Sequence, residues 1–223
     1  MINYSENNII TLIGTIVSDR RFSHEVYGEG FYSFDIEVPR LSDNSDIIPV
    51  TVSERILTDE YAIGQKVVID GQFRSYNNYE NEKNKLVLTV FAKDIKVFEP
   101  GDEEISNPNE ICLTGFICKK PIYRTTPFGR EIADILLAVN RAYNKSDYIP
   151  CITWGRNARY CQNIQVGEKV RLWGRIQSRQ YEKKFENGTS EIRRAYEVSV
   201  SKMEIEKDME GMSEDSNSEE QNA

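Results

Sequence analysis

Ile10-Thr11-Leu12-Ile13-Gly14-Thr15-Ile16 and Ile111-Cys112-Leu113-Thr114-Gly115-Phe116-Ile117 are one pattern written twice, 101 residues apart. Apolar and polar residues alternate in both, as on a half-buried strand, and a glycine interrupts both at the same place, which predicts a bulge or sharp bend. Working outward, Val38-Pro39-Arg40 falls on Val139-Asn140-Arg141 and Ile48-Pro49-Val50 on Ile149-Pro150-Cys151 at the same shift. A two-residue insertion then sets Gly64-Gln65-Lys66-Val67-Val68-Ile69-Asp70-Gly71 on Gly167-Glu168-Lys169-Val170-Arg171-Leu172-Trp173-Gly174. Leu88-Thr89-Val90-Phe91-Ala92 finally matches Tyr196-Glu197-Val198-Ser199-Val200, with the extra residues in a long hairpin. Ordered, collinear matches of this kind mark an internal duplication.

Each unit of about 100 residues, within the size range of a single domain, reads as strands with one short helix, over Ser53–Ala62 in the first and Asn157–Gln165 in the second. A five-stranded, partly open Greek-key barrel closes such a unit without long free edges. The expected organisation is a first barrel over 1–99, a linker over 100–108, a second barrel over 109–206 and a tail over 207–223. Proline, glycine and acids around Pro100-Gly101-Asp102-Glu103-Glu104 suit an exposed tether. The Ser-, Glu-, Asp- and Asn-rich tail has too few apolar groups to offset ordering entropy, and is expected to be disordered.

Charge separates the two units. The formal net charge is −8, but residues 1–106 carry 10 Lys+Arg against 19 Asp+Glu, residues 107–206 carry 17 against 11, and the tail carries 1 against 6. One basic unit is flanked by two acidic segments, and local charge decides where phosphates bind. The four cysteines, Cys112, Cys118, Cys151 and Cys161, form no C-x-x-C pair, and the only histidine, His24, reads as a loop residue far from them. No metal site, cofactor site or catalytic constellation is expected, so the chain reads as a binder and not an enzyme. No apolar run is long enough for a transmembrane helix and the N-terminus lacks a signal-peptide pattern, which predicts a cytoplasmic protein.

The second repeat resembles the bacterial single-stranded DNA-binding protein family from Asn109 to Glu206. The matching pieces are Ile111-Cys112-Leu113-Thr114-Gly115, Pro121-Ile122-Tyr123-Arg124-Thr125-Thr126-Pro127-Phe128-Gly129, Leu137-Ala138-Val139-Asn140-Arg141, Ile149-Pro150-Cys151-Ile152-Thr153-Trp154-Gly155-Arg156-Asn157-Ala158 and Gly174-Arg175-Ile176-Gln177-Ser178-Arg179-Gln180-Tyr181. The resemblance implies two tandem OB folds and sequence-tolerant capture of single-stranded DNA in replication, repair and recombination, in a nucleoid-associated setting. It places Tyr143, Tyr148, Trp154 and Tyr181 where rings stack on bases, and Arg156 and Arg179 where cations meet phosphate. It also implies a homodimer that assembles four barrels, with the edge around Leu12–Ile16 or Leu113–Ile117 a candidate for pairing between subunits, and replication or repair proteins as partners. The family's apolar C-terminal tip is not expected here, as the last residues read Gln221-Asn222-Ala223, which puts partner recruitment through the tail in question.

Strand alternation supports part of this set independently. Val170 and Leu172 face one way, which turns Arg171, Trp173, Arg175, Gln177, Arg179 and Tyr181 the other way. Arg124, Lys183 and Phe185 complete the candidates, the last two on the long hairpin; Arg141 and Trp173 also suit packing or a subunit contact. In the first repeat Ser42, Ile47 and Ser53 replace Tyr143, Tyr148 and Trp154, which predicts an architectural or protein-contacting barrel. Arg55, Arg74, Tyr76 and Tyr79 are its secondary candidates for the strand path. The alternative function is an accessory or protein-interaction adaptor of the primosome type, with weak nucleic-acid binding.

Overall fold

In a computed structural model of the chain, residues 6–80, 83–99, 107–185 and 188–206 are described, with only the backbone of 78–80 and 83–85. The expectations for the linker over 100–106 and the tail over 207–223 lie outside the described residues. The first unit holds β1 (Asn8–Ile16), β2 (Arg21–Val26), β3 (Glu29–Pro39), β4 (Ser45–Ser53), β5 (Lys66–Glu80) and β6 (Lys83–Val97). The second holds β7 (Asn109–Ile117), β8 (Ile122–Thr125), β9 (Glu131–Arg141), β10 (Lys145–Trp154), α1 (Arg156–Cys161), β11 (Lys169–Lys184) and β12 (Ser190–Ile205).

Five strands close each barrel. β1 pairs with both β5 and β3, and the ring runs through β4 and β6, where β4 and β6 are parallel. β7, β9, β10, β12 and β11 repeat this ring. The sixth strand of each unit, β2 or β8, lies outside the ring on β3 or β9, an extension that the five-strand expectation did not include. Val67, Ile69 and Phe73 point into the first core with Leu12, Phe34, Ile36 and Val50; Val170, Leu172 and Ile176 do the same in the second with Leu113, Leu137 and Cys151.

The interrupting glycines mark close backbone approaches. A Cβ on Gly115 would lie 2.3 Å from the Ala138 carbonyl oxygen, where β7 bends from β11 onto β9. One on Gly174 would lie 2.2 Å from the Ser199 oxygen, at the bulge that skips Ser201 on β12. Only glycine allows the chains to meet so closely.

Three expectations change. The helix expected over Ser53–Ala62 is only a 3-10 turn, Glu54–Ile56, capped by Ser53 and with no residue fully buried; its counterpart α1 lasts because Ala158 and Cys161 seat it on the core. His24 is on β2 and not in a loop. The edges of β1 and β7 proposed for subunit pairing pair with each other inside the chain, through Asn8↔Leu113, Ile10↔Ile111 and Leu12↔Asn109. One twelve-stranded sheet therefore runs through both barrels.

This pairing has an internal two-fold. Ile10 and Ile111 are equivalent and face each other at its centre. Ile13 N donates to Pro108 O at 2.8 Å and Thr114 N to Asn7 O at 2.7 Å. Beside it two buried asparagines bridge strands in the same way: Asn8 exchanges two hydrogen bonds with the Phe73 backbone, and Asn109 two with Ile176. Buried carboxylates then cross the seam. Asp46 accepts from Ser178 N at 2.6 Å, and Asp147 accepts from Ser75 N at 2.7 Å. Each barrel thus satisfies a backbone donor of the other.

Candidate nucleic-acid interface

The outer face of the second barrel is built by alternation on three strands. On β10, Asp147, Ile149, Cys151 and Thr153 are buried, which leaves Tyr148 and Trp154 outward. On β11 the buried set is Val170, Leu172 and Ile176, and the alternation survives because the bulge residue lies in β12. The register with β12 sets Arg175 opposite Ser199, Gln177 opposite Glu197, Arg179 opposite Ala195 and Tyr181 opposite Arg193.

The aromatic rings are held and still accessible. Trp154 is 38% exposed, and its Nε1 donates to Ser199 Oγ at 3.2 Å, which fixes the indole plane across β10 and β12. Tyr148 is half-exposed, and its backbone N donates to Ser75 Oγ at 2.7 Å, so the first barrel pins the strand that carries it. Tyr181 lies 5.9 Å from the Arg179 guanidinium. Phe185 has both Lys183, at 5.6 Å, and Arg193, at 5.7 Å, over its ring. Cation and ring side by side are what a strand of phosphates and bases requires.

The predicted cations divide into groups. Arg156, at the start of α1, is exposed and forms no ion pair among the described residues. Arg179 keeps most of its surface and lies 3.8 Å from Glu197. Arg124 is paired to Asp134 through two nitrogens, at 2.8 and 3.2 Å, with both partners on the surface. Arg141 and Arg175 instead lie in the seam, each 3.3 Å from a buried carboxylate, Asp147 and Asp46 respectively. Trp173 is likewise apart: it lines a cleft beside the β1–β7 junction with Ile9, Cys112 and Ser201, and Lys202 lies 4.5 Å over its ring. Tyr143 is 94% exposed at the β9–β10 turn, where it and Asn144 both adopt positive φ, and lines one cavity with Gln72 and Lys93 of the first barrel.

In the first barrel, Arg55 is tied to Glu29 at 2.8 Å. Arg74 and Tyr76 line one cavity, and the side chain of Tyr79 lies outside the described residues. Sequence reasoning missed Arg193, because only the β11–β12 register sets it against Tyr181. It also missed a run of rings on the first barrel: His24 stacks on Phe31 at 4.9 Å and 7°, Phe31 meets Phe91 at 5.8 Å, and the Arg74 guanidinium lies 3.8 Å over Phe91. Among the described residues no His, Cys, Asp and Glu converge as a metal site, and no helix is long and apolar enough to cross a membrane. Cys151 and Cys161 are buried, and burial pushes their thiols, with those of Cys112 and Cys118, above the ordinary range.

The single-strand binding protein family model matches residues 108–206. Single-stranded DNA-binding protein B of Bacillus subtilis is 37% identical over 84 residues, which are 33% of this chain and 72% of that protein. The chain belongs to the single-strand binding protein family. A second family relative, single-stranded DNA-binding protein 1 of Staphylococcus aureus, is 38% identical over 81 residues, 33% of this chain and 48% of that one. The chain thus spans about half the length of most of the curated family relatives it matches. The crystal structure of the wild-type single-stranded DNA binding protein from Thermus aquaticus superposes with a TM-score of 0.72 at 18% identity, over 90% of this chain and 93% of that one, which shows the fold. The family match lies on the barrel that carries Trp154, Tyr148, Arg179 and Tyr181, and the Thermus likeness extends the architecture over both.

Proposed function

We propose that the chain binds single-stranded DNA without sequence preference, with bases stacked on Tyr148, Trp154 and Tyr181 and phosphates held by Arg156, Arg179 and Lys183. The observation that carries this reading is the outer face of β10, β11 and β12, which presents the rings of Tyr148, Trp154 and Tyr181 beside the Arg179 guanidinium while the inward positions are buried and mostly apolar. The relatives' names, single-stranded DNA-binding protein, point the same way. The protein acts in the cytoplasm on strands exposed in replication, repair and recombination, as a dimer of two-barrel chains. Because β1 and β7 are already paired within the chain, dimerisation uses another surface.

The test is a fluorescence titration with a dT oligomer at low and moderate salt, with light scattering for mass. The chain has two tryptophans, so the reading is site-specific. Strong quenching that persists in Trp173→Phe, is lost in Trp154→Phe and weakens with salt is expected. Quenching that follows Trp173 instead, or none at low salt, overturns it.

A further inference from the structure

Tyr148 and Trp154 are the two stacking candidates on β10, and the strand is held by different means at the two places. Near Trp154, β12 runs beside β10 through Cys151↔Val198 and Ile152↔Ser199, and Ser199 holds the indole nitrogen. The pairing with β12 does not reach Tyr148, and there the first barrel stands in its place. Ser75, on β5, is buried and reaches two successive residues of β10. Its N–H donates to Asp147 Oδ1 at 2.7 Å, and its hydroxyl accepts from Tyr148 N at 2.7 Å. One serine of the acidic barrel thus fixes the residue before the ring and the ring's own backbone.

The other half of the seam differs at the position where the ring is missing. Ser178 corresponds to Ser75, and Ile47 to Tyr148. The Ser178 N–H and hydroxyl both donate to Asp46 Oδ1, at 2.6 and 3.1 Å, and Arg40 grips the same carboxylate. The hydroxyl there serves the carboxylate and not the backbone of Ile47. The internal two-fold is therefore broken at the one serine hydroxyl that reaches a stacking residue. A seam that only needed to be closed would use both serines alike. Tyr148 is half-exposed, so packing alone holds it weakly, and the backbone bond carries much of the ring's position. A ring that is already ordered stacks on a base without the cost of ordering it during binding.

We propose that Ser75 of the first barrel is a positioning residue for base stacking on Tyr148 of the second. The first barrel then contributes to strand capture through the seam, by holding a ring of its neighbour and not by touching the base that stacks on it. The proposal rests on the strand-binding reading above and adds to it a dependence of the Tyr148 site on one contact from the other barrel.

The test is a double-mutant cycle on the full chain, with a dT oligomer of about 10 nucleotides, within the ~4–16 that one OB fold covers. Tyr148→Ala is expected to weaken binding about 5- to 150-fold, the range for one stacked base. Ser75→Ala is expected to weaken it about fivefold, since the released backbone must be ordered on binding, and to have no further effect once Tyr148 is alanine. Ser75→Thr keeps the hydroxyl, and its methyl has room in the groove of about 550 Å³ that Ser75 lines with Arg74 and Arg141, so this variant is expected to bind like the unaltered chain. Ser178→Ala, the equivalent change, is expected to leave binding unaltered. A Ser75→Ala loss that is absent, equally large without the Tyr148 ring, matched by Ser178→Ala or not restored by Ser75→Thr overturns the proposal and leaves the strand-binding reading standing. Tyr148→Ala that binds as tightly as the unaltered chain overturns the stacking role of Tyr148 and the proposal with it. Absence of binding by the unaltered chain overturns the strand-binding reading as well. If Ser75→Ala does not fold, Ser75→Cys, with a weaker acceptor at the same place, replaces it in the cycle.

Discussion

Asp46 and Asp147 occupy the same position in the two repeats, are both fully buried and both cross the seam to a serine of the other barrel, yet they are not equally satisfied. Asp46 is gripped by Arg40 at 2.6 and 2.7 Å, by Arg175 at 3.3 Å and by both the N–H and the hydroxyl of Ser178. Asp147 accepts from Ser75 N, lies 3.3 Å from Arg141, and its Oδ2 makes no hydrogen bond. Arg40 bonds Asp46 twice whereas its counterpart Arg141 leaves Asp147 Oδ2 without a hydrogen bond, and the inverted order of glutamine and arginine on β5 and β11 adds to the difference. Where Arg175 reaches Asp46, its counterpart Gln72 brings no charge to Asp147, and Arg74 is turned onto Phe91. One half of the seam uses its cations as a lock; the other leaves them facing a groove.

The largest test of this asymmetry is stability. Asp46→Asn is expected to cost about 3 kcal/mol, the lower end for a broken buried pair because Arg40 and Arg175 keep part of their surface in water. Asp147→Asn is expected to cost only about 1 kcal/mol, since the Ser75 bond can be kept and the oxygen replaced had no hydrogen bond. Urea unfolding read as a change in midpoint at constant m separates the two. Equal losses would mean that the two halves are equivalent after all.

A second contrast is functional. Trp154→Ala is expected to lose about 1–3 kcal/mol of strand affinity, the range for one stacked base. Ser53→Ala, at the equivalent place, removes the hydroxyl that accepts from Arg55 N, costs about 1 kcal/mol of stability as a lost cap and leaves affinity unchanged. Affinity loss in both would place the two barrels' fourth strands on the same footing.

The duplication, the alternation and the basic second unit are readable in the sequence because each depends on neighbours a few residues apart. Val170 and Leu172 facing inward do fix Arg179 and Tyr181 outward. What the sequence hides depends on register between distant strands. Nothing local says that Asn8 pairs with Leu113, so Arg175 reads as a strand-contacting cation when it lies against Asp46 of the other barrel. The same blindness makes the first barrel look stripped: aligned residue by residue, Ser53 replaces Trp154, and only the β3–β4–β6 pairing reveals Phe31 and Phe91 in the vacated space. The short helix failed for a related reason, since Glu54–Ile56 has no counterpart to the buried Ala158 and Cys161.

The smallest expected effect is also the one with opposite signs at the two sites. Burial pushes the Asp46 carboxyl up, but the Arg40 bonds and then the Ser178 amide outweigh it and hold it below the ordinary value. At Asp147 burial prevails over the Ser75 amide, Arg141 and Arg74, and the carboxyl is raised. A lowered carboxyl contributes stability above its unfolded value of about 4, which is lost as pH falls through the folded value. A raised one penalises the folded state at neutral pH, and that penalty is relieved as pH falls toward about 4. The deficit of Asp46→Asn relative to the unaltered chain should therefore shrink below about pH 4, while that of Asp147→Asn should grow between neutrality and about pH 4. Urea midpoints for the three proteins across this range give the two trends directly. If both deficits shrink together with acid, Asp147 is ionised as comfortably as Asp46, and the groove beside it has lost the electrostatic reason for its unspent cations.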